Sequence, residues 1–537
     1  MNHLFSMVPR ASIPRSRFDR SSVLKTTFDE NGLVPVFVDE VLPGDTFKMR
    51  ANFFCRLQTL FRPVMDQLYL ESFWFFVPYR LVWKHWPNFM GEQVYPDDTT
   101  DYVIPTIKKT NASNQTLWDY FGLPTGVSNA LEVSALPFRA FWLIYNKWFR
   151  DENLCSPADI CFDDTNAVLN SSPATGFATN YGDGVSNLPN RGKRHDYFTS
   201  ALPWAQKGDP VELPLGESAP VSIVSNNSSP TFSTTDGGFP ATNLPLLGGA
   251  SGGRLSTYSG ITGTNLGALH FGNETGLTGT ADLSSATAVL VNELRFAFQY
   301  QKLLERDARG GTRYVEQILS HFGVRSPDAR LQRPEYLGGT TSVIQVNPVV
   351  QNGASGADSP QGNLAAYGLT VSKIHGFNKS FTEHGVIIGL VNVRANLTYQ
   401  QGINRMWSRQ VRTDFYFPVF SHLGEQAVLN KEIFAQGTAE DDKAFGFQEA
   451  WSEYRYFPSK VTGKFRSTDP QSLDIWHLAQ KFQNLPTLSQ QFIEENVPVE
   501  RVVAVENEPH FLLDAYFKLK CTRPMPVYSV PGLIDHF

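Results

Sequence analysis

The chain has 537 residues, which by size alone suggests two to four domains. Aromatic residues make up 13% of it and charged residues only 18%, so it can form a large core and still has aromatic side chains for contacts with other proteins. The net charge of −6 excludes a general attraction to nucleic acid, and four cysteines in so long a chain exclude a disulfide scaffold.

An extended basic arm is predicted for residues 1–27, where Pro9 and Pro14 disfavour a helix. The arm lacks the apolar segment of a signal peptide, and nowhere does the sequence reach the ~18 apolar residues of a membrane helix. We therefore expect a cytoplasmic product without membrane insertion. Two interpretations of the arm stay open: a solvated tail, or a segment that lies on phosphate or on a neighbouring subunit. Under the second interpretation, the contacts with nucleic acid are Arg10, Arg15, Arg17, Arg20 and Lys25.

Strands joined by a turn are predicted for residues 34–61, in which Phe47, Met49 and Ala51 alternate with polar residues. Residues 68–77 are apolar almost throughout, which predicts a strand that is covered on both faces. The first part of the chain therefore supplies strands of a β-sheet core.

Two helices are predicted farther along the chain, as insertions between strands. Residues 138–149 place aromatic side chains along one helical stripe, which predicts a helix packed on a core, with contact to a membrane surface as the alternative. Residues 288–309 predict a longer helix that ends at Gly310 and Gly311, since glycine commonly ends a helix.

The composition changes in residues 206–285, which hold a third of the chain's 41 glycines together with many Ser, Thr and Asn. A segment of this length without periodicity is not an ordinary loop of a compact domain. It is either disordered or an insertion that folds by packing against copies of itself. The apolar residues spread through it, among them Phe232 and Phe271, favour the second alternative.

Strands return in the last third of the chain. Residues 386–397 and 511–521 alternate apolar and polar side chains, which is typical of antiparallel sheets with one face in solvent. Strands thus begin near residue 34 and end near residue 521. This arrangement predicts one β-sandwich domain over residues 1–537, elaborated in its loops.

No motif of a metalloprotease, a serine hydrolase or a phosphate-binding loop occurs in the sequence. His195 and Asp196, like Glu383 and His384, are neighbours in the chain and point to opposite faces of a strand, so neither pair predicts a catalytic dyad. The histidines and cysteines lack the spacing of metal ligands. We therefore expect a protein that is not an enzyme and needs no cofactor or metal.

A second basic segment, at residues 191–198, has the sequence RGKRHDYF. Arg191, Lys193 and Arg194 precede two aromatic residues, and cations beside aromatic rings suit single-stranded nucleic acid, which offers phosphates and bases. A solvated loop or a salt bridge to a neighbour is the alternative interpretation.

Seven long stretches of the chain together point to one protein family. Two of them are RGKRHDYFTSALPW (191–204) and the final RPMPVYSVPGLIDHF (523–537), and the others are residues 14–47, 75–93, 303–339, 380–402 and 422–434. These stretches closely resemble the gokushovirus major capsid protein. The resemblance is collinear from residue 14 to the last residue and leaves residues 206–285 unmatched.

The resemblance implies an eight-stranded antiparallel jelly-roll β-sandwich with large loop insertions that contain helices. It implies that the subunit assembles with copies of itself into a T=1 icosahedral shell around circular single-stranded DNA. The insertion at residues 206–285 would form a protrusion at the three-fold axes that contacts a host surface receptor. A small basic DNA-binding virion protein and a minor spike or pilot protein are further implied partners, with assembly in the host bacterial cytoplasm. A receptor-binding or glycan-hydrolysing β-sandwich acting alone is the alternative.

Overall fold

A computed structural model describes residues 14–168, 184–209, 211, 221–225, 231–234, 244–245, 247–248, 255–256, 269–271, 277–281, 291–356, 360–374, 376–396, 398–505 and 507–528. The predicted contact Arg10 and most of residues 206–285 lie outside these ranges. The chain divides into two compact units, one of Met1–Lys207 with Glu305–Phe537 and one of Gly208–Leu304.

Strands dominate the described chain. In chain order they are β1 (Ser16–Asp19), β2 (Ser22–Phe28), β3 (Val34–Val41), β4 (Thr46–Leu60), β5 (Leu68–Pro78), β6 (Thr106–Lys109), β7 (Leu131–Ser134), β8 (Ala167–Val168), β9 (Val221–Ser225), β10 (Thr231–Thr234), β11 (Leu244–Pro245), β12 (Leu247–Gly248), β13 (Leu255–Ser256), β14 (Leu269–Phe271), β15 (Leu277–Ala281), β16 (Glu335–Val350), β17 (Leu364–Ile374), β18 (Asn378–Ser380), β19 (Gly385–Ala395), β20 (Glu425–Leu429), β21 (Ala444–Glu449) and β22 (Phe511–Arg523). The α-helices are α1 (Trp86–Phe89), α2 (Leu117–Tyr120), α3 (Leu136–Ile144), α4 (Val291–Arg309), α5 (Tyr314–Phe322), α6 (Asn430–Ile433) and α7 (Gln490–Ile493).

The long strands form one antiparallel sheet in the order β1, β22, β4, β17, β16, β5, β19, β3, with β2 beside β22 and β18 beside β4. The long strand β16 joins its two halves, because residues 335–344 pair with β5 and residues 345–350 pair with β17. The sheet curls so that its ends approach each other, and Arg20, which follows β1, forms an ion pair with Asp39 of β3. The predicted mainly-β antiparallel fold with insertions is confirmed.

The first core lies between the two halves of the curled sheet. It is formed by buried residues of β4 and β22 on one side and of β3, β5 and β19 on the other. Along β4 and β22, buried and exposed side chains alternate, as predicted, so this half of the sheet has one solvent-exposed face. The strand β5 is covered on both faces, as its apolar sequence predicts. The solvent-exposed face predicted for residues 386–397 is wrong, because β19 is buried along its whole length.

A second core covers the other face of β5 and β19. It contains Phe75, Val77 and Ile388 of these strands together with most of α3. The predicted helix of residues 138–149 is confirmed as α3 continued by a π-helical turn, Tyr145–Phe149. Its aromatic side chains pack in this core, in agreement with the core-packing interpretation.

The predicted helix of residues 288–309 is confirmed as α4, which ends just before Gly310 and Gly311. In the unit Gly208–Leu304, short antiparallel strands pair as β9 with β15, β12 with β13, and β10 with both β11 and β14. Within the described residues, none of the helices has the length and apolar character that crossing a membrane requires.

Candidate functional site

The basic residues predicted to contact nucleic acid fall into two groups with different surroundings. Arg15, Arg17, Arg20 and Lys25 lie on or beside the edge strands β1 and β2. Arg191 and Arg194 lie instead around the Glu71 carboxylate on the doubly covered strand β5, and Lys193 lies beside the ring of Phe492. Contact of either group with nucleic acid stays a prediction. The structure shows which of these side chains already have a partner within the chain.

In the first group, Arg20 is held by a bidentate pair with Asp39, with N–O distances of 2.6 and 2.8 Å. Arg15 donates to the carbonyl of Gly44 and to the Thr46 hydroxyl, and the Lys25 ammonium lies 2.9 Å from the Asp514 carboxylate in solvent. The Arg17 side chain is exposed and makes no hydrogen bond or ion pair with the residues that the structure describes.

In the second group, the side chain of Glu71 pairs with three guanidinium groups, and we call these four residues the Glu71 cluster. Arg191 donates to one carboxylate oxygen, Arg194 donates to the other at 2.8 Å, and Arg394 of β19 lies 3.1 Å away. Burial alone would raise the pKa of Glu71, but attraction to Arg191 and Arg394 and the hydrogen bonds outweigh it, so this pKa is lowered. The cluster is a buried ion network inside one subunit.

Aromatic rings complete the surroundings of these cations. The guanidinium of Arg191 lies 4.7 Å from the ring centre of Phe73, and that of Arg194 lies 4.5 Å from that of Tyr69. The buried Lys193 ammonium lies 4.3 Å from the ring centre of Phe492 and donates to Gln480, and burial lowers its pKa to about 8. Cation–π contacts within the chain thus occupy faces that a nucleic-acid base would need.

The sequence reasoning missed Glu71 and Arg394 as members of this network. The alternation predicted for residues 386–397 puts Arg394 on the polar face of its strand, whereas the structure buries it against Glu71. A signal was present, because Glu71 is the one charged residue of the apolar segment LYLESFWFFV, residues 68–77. A charge inside such a strand is almost never buried without a partner, so it predicts a buried ion pair.

A second carboxyl, that of Glu495, lies beside the Glu71 cluster. Glu495 is 1% exposed, and neither of its side-chain oxygens has a hydrogen-bond partner among the described residues. Burial raises the pKa of this carboxyl to about 7, against the attraction of Arg394, Arg191 and Arg194. The neutral acid is therefore favoured in the folded protein up to about neutral pH.

Replacing Glu495 by glutamine is expected to stabilise the subunit increasingly as the pH rises. Because the pKa of Glu495 is raised on folding, its contribution to stability is full below the ordinary pKa of 4.5 and is lost as the pH rises to about 7; the glutamine variant lacks this loss. The free energy of unfolding of the variant should exceed that of the natural chain by on the order of 2 kcal/mol at pH 8 and by almost nothing at pH 4.5. Thermal unfolding across this range measures it, with the exposed Glu92→Gln as control; a gain that does not change with pH would contradict the assignment.

Comparison with known proteins adds the family. A family model described as capsid protein (F protein) matches residues 6–533. The chain is 47% identical to capsid protein VP1 of Bdellovibrio phage phiMH2K, over 100% of this chain and 98% of that protein. It is 43% identical to capsid protein VP1 of Chlamydia phage 1, over 99% of this chain and 98% of that protein. It is 37% identical to capsid protein VP1 of Spiroplasma virus 4, over 99% of this chain and 97% of that protein.

Proposed function

Since the chain belongs to the phage capsid protein (F protein) family, we propose that it builds a T=1 icosahedral shell around circular single-stranded DNA. The resemblance to gokushovirus major capsid proteins is confirmed, and the protein is a structural component of the virion and not an enzyme. The observation that carries the proposal is the family match over nearly the whole chain, because the function of a capsid protein is association with its own copies.

Exposed aromatic side chains support this self-association. Tyr416, Trp451 and Tyr454 pack together at the surface, and Trp407 and Phe457 are exposed in neighbouring segments of the chain. A monomer rarely leaves so many large apolar side chains in solvent, and contacts between subunits are their usual cover. We expect each subunit to bury more than ~2,000 Å² in the shell, as obligate interfaces do.

The domain organisation belongs to the same proposal. A single jelly-roll domain over residues 1–537 carries the basic arm 1–27, which faces the interior, and the insertion 206–285, which forms the three-fold protrusion. The compact unit Gly208–Leu304, with its short antiparallel strands, supports an insertion that has secondary structure of its own. Its role would be contact with a host surface receptor.

One further partner follows from the charge of the chain. The chain is acidic overall, with a net charge of −6, so it cannot neutralise a packaged genome. A small basic DNA-binding virion protein is therefore expected inside the shell. The resemblance to gokushovirus capsid proteins further implies a minor spike or pilot protein and assembly in the host bacterial cytoplasm.

Deletion of residues 228–270 tests the division between shell and protrusion. The full chain, expressed in bacteria, should form closed shells in negative-stain micrographs, and so should the deletion variant, because the sheet and its two cores lie outside this segment. Particles of the variant should lose adsorption to the host. A stable monomer of 60.1 kDa from the full chain would reject the shell, and loss of shells in the variant alone would reject the protrusion.

A further inference from the structure

The exposed face of one half of the sheet is strongly basic. On β4 and β22, which pair along their lengths, every second side chain points to solvent. We use the name basic face for seven cations and two aromatic rings on this surface. They are Arg17, Lys25, Lys48, Arg50, Arg56, Lys518 and Lys520, with the rings of Phe54 and Tyr516. Against these seven cations, β1, β2, β4 and β22 present only Asp19 and Asp514 on this face.

Two neighbouring rungs of the β4–β22 ladder place like charges directly opposite each other. Arg50 pairs in register with Lys518, and Lys48 pairs with Lys520. Directly opposed like charges destabilise a sheet, and in the part of the chain that the structure describes no acidic side chain forms an ion pair with any of these four. Repulsion of this kind is relieved when an anion lies across the rungs.

The acidic residues of the same face relieve it only in part, because two carboxylates face seven cations and only Asp19 attracts Lys518 and Lys520. The Asp514 carboxylate forms an ion pair at 2.9 Å with Lys25 of the neighbouring strand β2. Asp19 lies opposite Lys520 in register, but its carboxylate accepts hydrogen bonds from the Ser21 hydroxyl and backbone N–H. The excess of positive charge therefore remains open to a ligand.

Two aromatic rings lie within the basic face. Tyr516, two residues from Lys518 on β22, is 41% exposed, and Phe54, four residues from Arg50 on β4, is 47% exposed. Same-face side chains along a strand are ~7 Å apart, so cations and rings follow one another at short intervals. Cations that track a backbone beside rings on which bases stack are the arrangement that single-stranded nucleic acid selects.

We propose that the basic face binds single-stranded DNA, with phosphates on the Lys48–Lys520 and Arg50–Lys518 rungs and bases on Phe54 and Tyr516. This inference rests on the proposed shell around single-stranded DNA and assigns its inner surface to this half of the sheet. The arm residues Arg17 and Lys25, predicted from the sequence, lie on strands that extend the same sheet. A contact with an acidic segment of another subunit is the competing use of this face.

Ultraviolet cross-linking of genome-filled particles tests the face directly. After nuclease and trypsin digestion, mass spectrometry should find nucleotide adducts on the peptides that contain Phe54 and Tyr516. The exposed Trp407 and Phe457 serve as controls and should carry none. Closed shells whose adducts fall on the controls and not on Phe54 or Tyr516 would overturn this inference while leaving the shell function intact; absence of closed shells would instead reject the shell.

Variants of the full-length, unassembled protein distinguish the contribution of the cations to DNA binding from that of the aromatic rings. Binding of a fluorescent oligothymidylate of about 20 nucleotides is followed by anisotropy at several salt concentrations. Arg50→Gln with Lys518→Gln should make the slope of log affinity against log salt shallower by about 1.4, the value for two lost phosphate contacts. Tyr516→Ala should weaken binding roughly tenfold and leave the salt slope unchanged.

A matched control removes two exposed cations elsewhere, Arg325→Gln with Arg330→Gln, and should leave the slope unchanged. Tyr516→Phe keeps a stacking ring and should bind nearly as the natural chain does, which shows that the fold tolerates change at this position. If the salt slope became shallower by the same amount in the Arg50/Lys518 variant and in its control, the proposal would be overturned. It would also be overturned by a variant that binds the oligonucleotide normally but no longer forms shells, since the face would then contact another subunit.

Discussion

Replacing Glu71 by glutamine is expected to destabilise the subunit by about 3–5 kcal/mol, because it leaves the largely buried guanidinium groups of Arg191 and Arg394 without their shared carboxylate. The third group, that of Arg194, is 32% exposed and loses less. The Glu71 side chain is 6% exposed and those of Arg191 and Arg394 are 13% and 11% exposed, so water cannot replace the lost charge. The nearby Glu495 carboxyl has a pKa raised to about 7 by burial and replaces that charge only in part. Denaturant unfolding of the unassembled protein, followed by tryptophan fluorescence, measures the loss.

The control for this variant is an ion pair on the surface. Asp514→Asn removes the partner of Lys25, whose side chains are 48% and 75% exposed, and should cost less than about 1 kcal/mol. The double variant Glu71→Gln with Arg394→Gln should lose less than the sum of the two single variants, because one unpaired cation is gone. A loss in Glu71→Gln as small as that in Asp514→Asn would show that the network does not stabilise the fold.

The fold was predictable from the sequence where side-chain periodicity is local. Alternation in residues 47–52 and 511–521 identified β4 and β22 and their exposed faces, and the apolar segment 68–77 identified a strand covered on both sides. The pairing of β4 with β22 was not predictable, because the two strands lie near opposite ends of the chain. The rungs of like charge exist only through this pairing, so the basic face could not be read from either strand alone.

The candidate site was predictable only in part, for a similar reason. Arg191, Lys193 and Arg194 were identified by the aromatic residues that follow them in the chain. The rings that contact these cations are instead Phe73, Tyr69 and Phe492, which other segments supply. Composition and spacing identify which residues carry charge, whereas tertiary contacts decide whether that charge is already neutralised.

The two halves of the sheet are held together by an aromatic cluster around Phe517, and Phe517→Ala should therefore cost about 3–5 kcal/mol. The Phe517 ring on β22 lies 5.3 Å from that of Phe37 on β3 and 6.0 Å from that of Trp74 on β5, measured between centres. Phe517 is 2% exposed, so its removal leaves a cavity that solvent does not fill and that lies between both halves.

Leu512→Ala on the same strand is the matched control, since Leu512 lies on the solvent-exposed face and should cost less than about 1 kcal/mol. Phe517→Leu keeps most of the volume and should recover more than half of the loss, because the cavity term shrinks with the space left empty. Denaturant unfolding of the unassembled subunit separates the three variants. If Phe517→Ala unfolded like the natural chain and only failed to form shells, Phe517 would act at a contact between subunits. That outcome would contradict its burial between β22, β3 and β5, and with it the view that this cluster closes the sheet on itself.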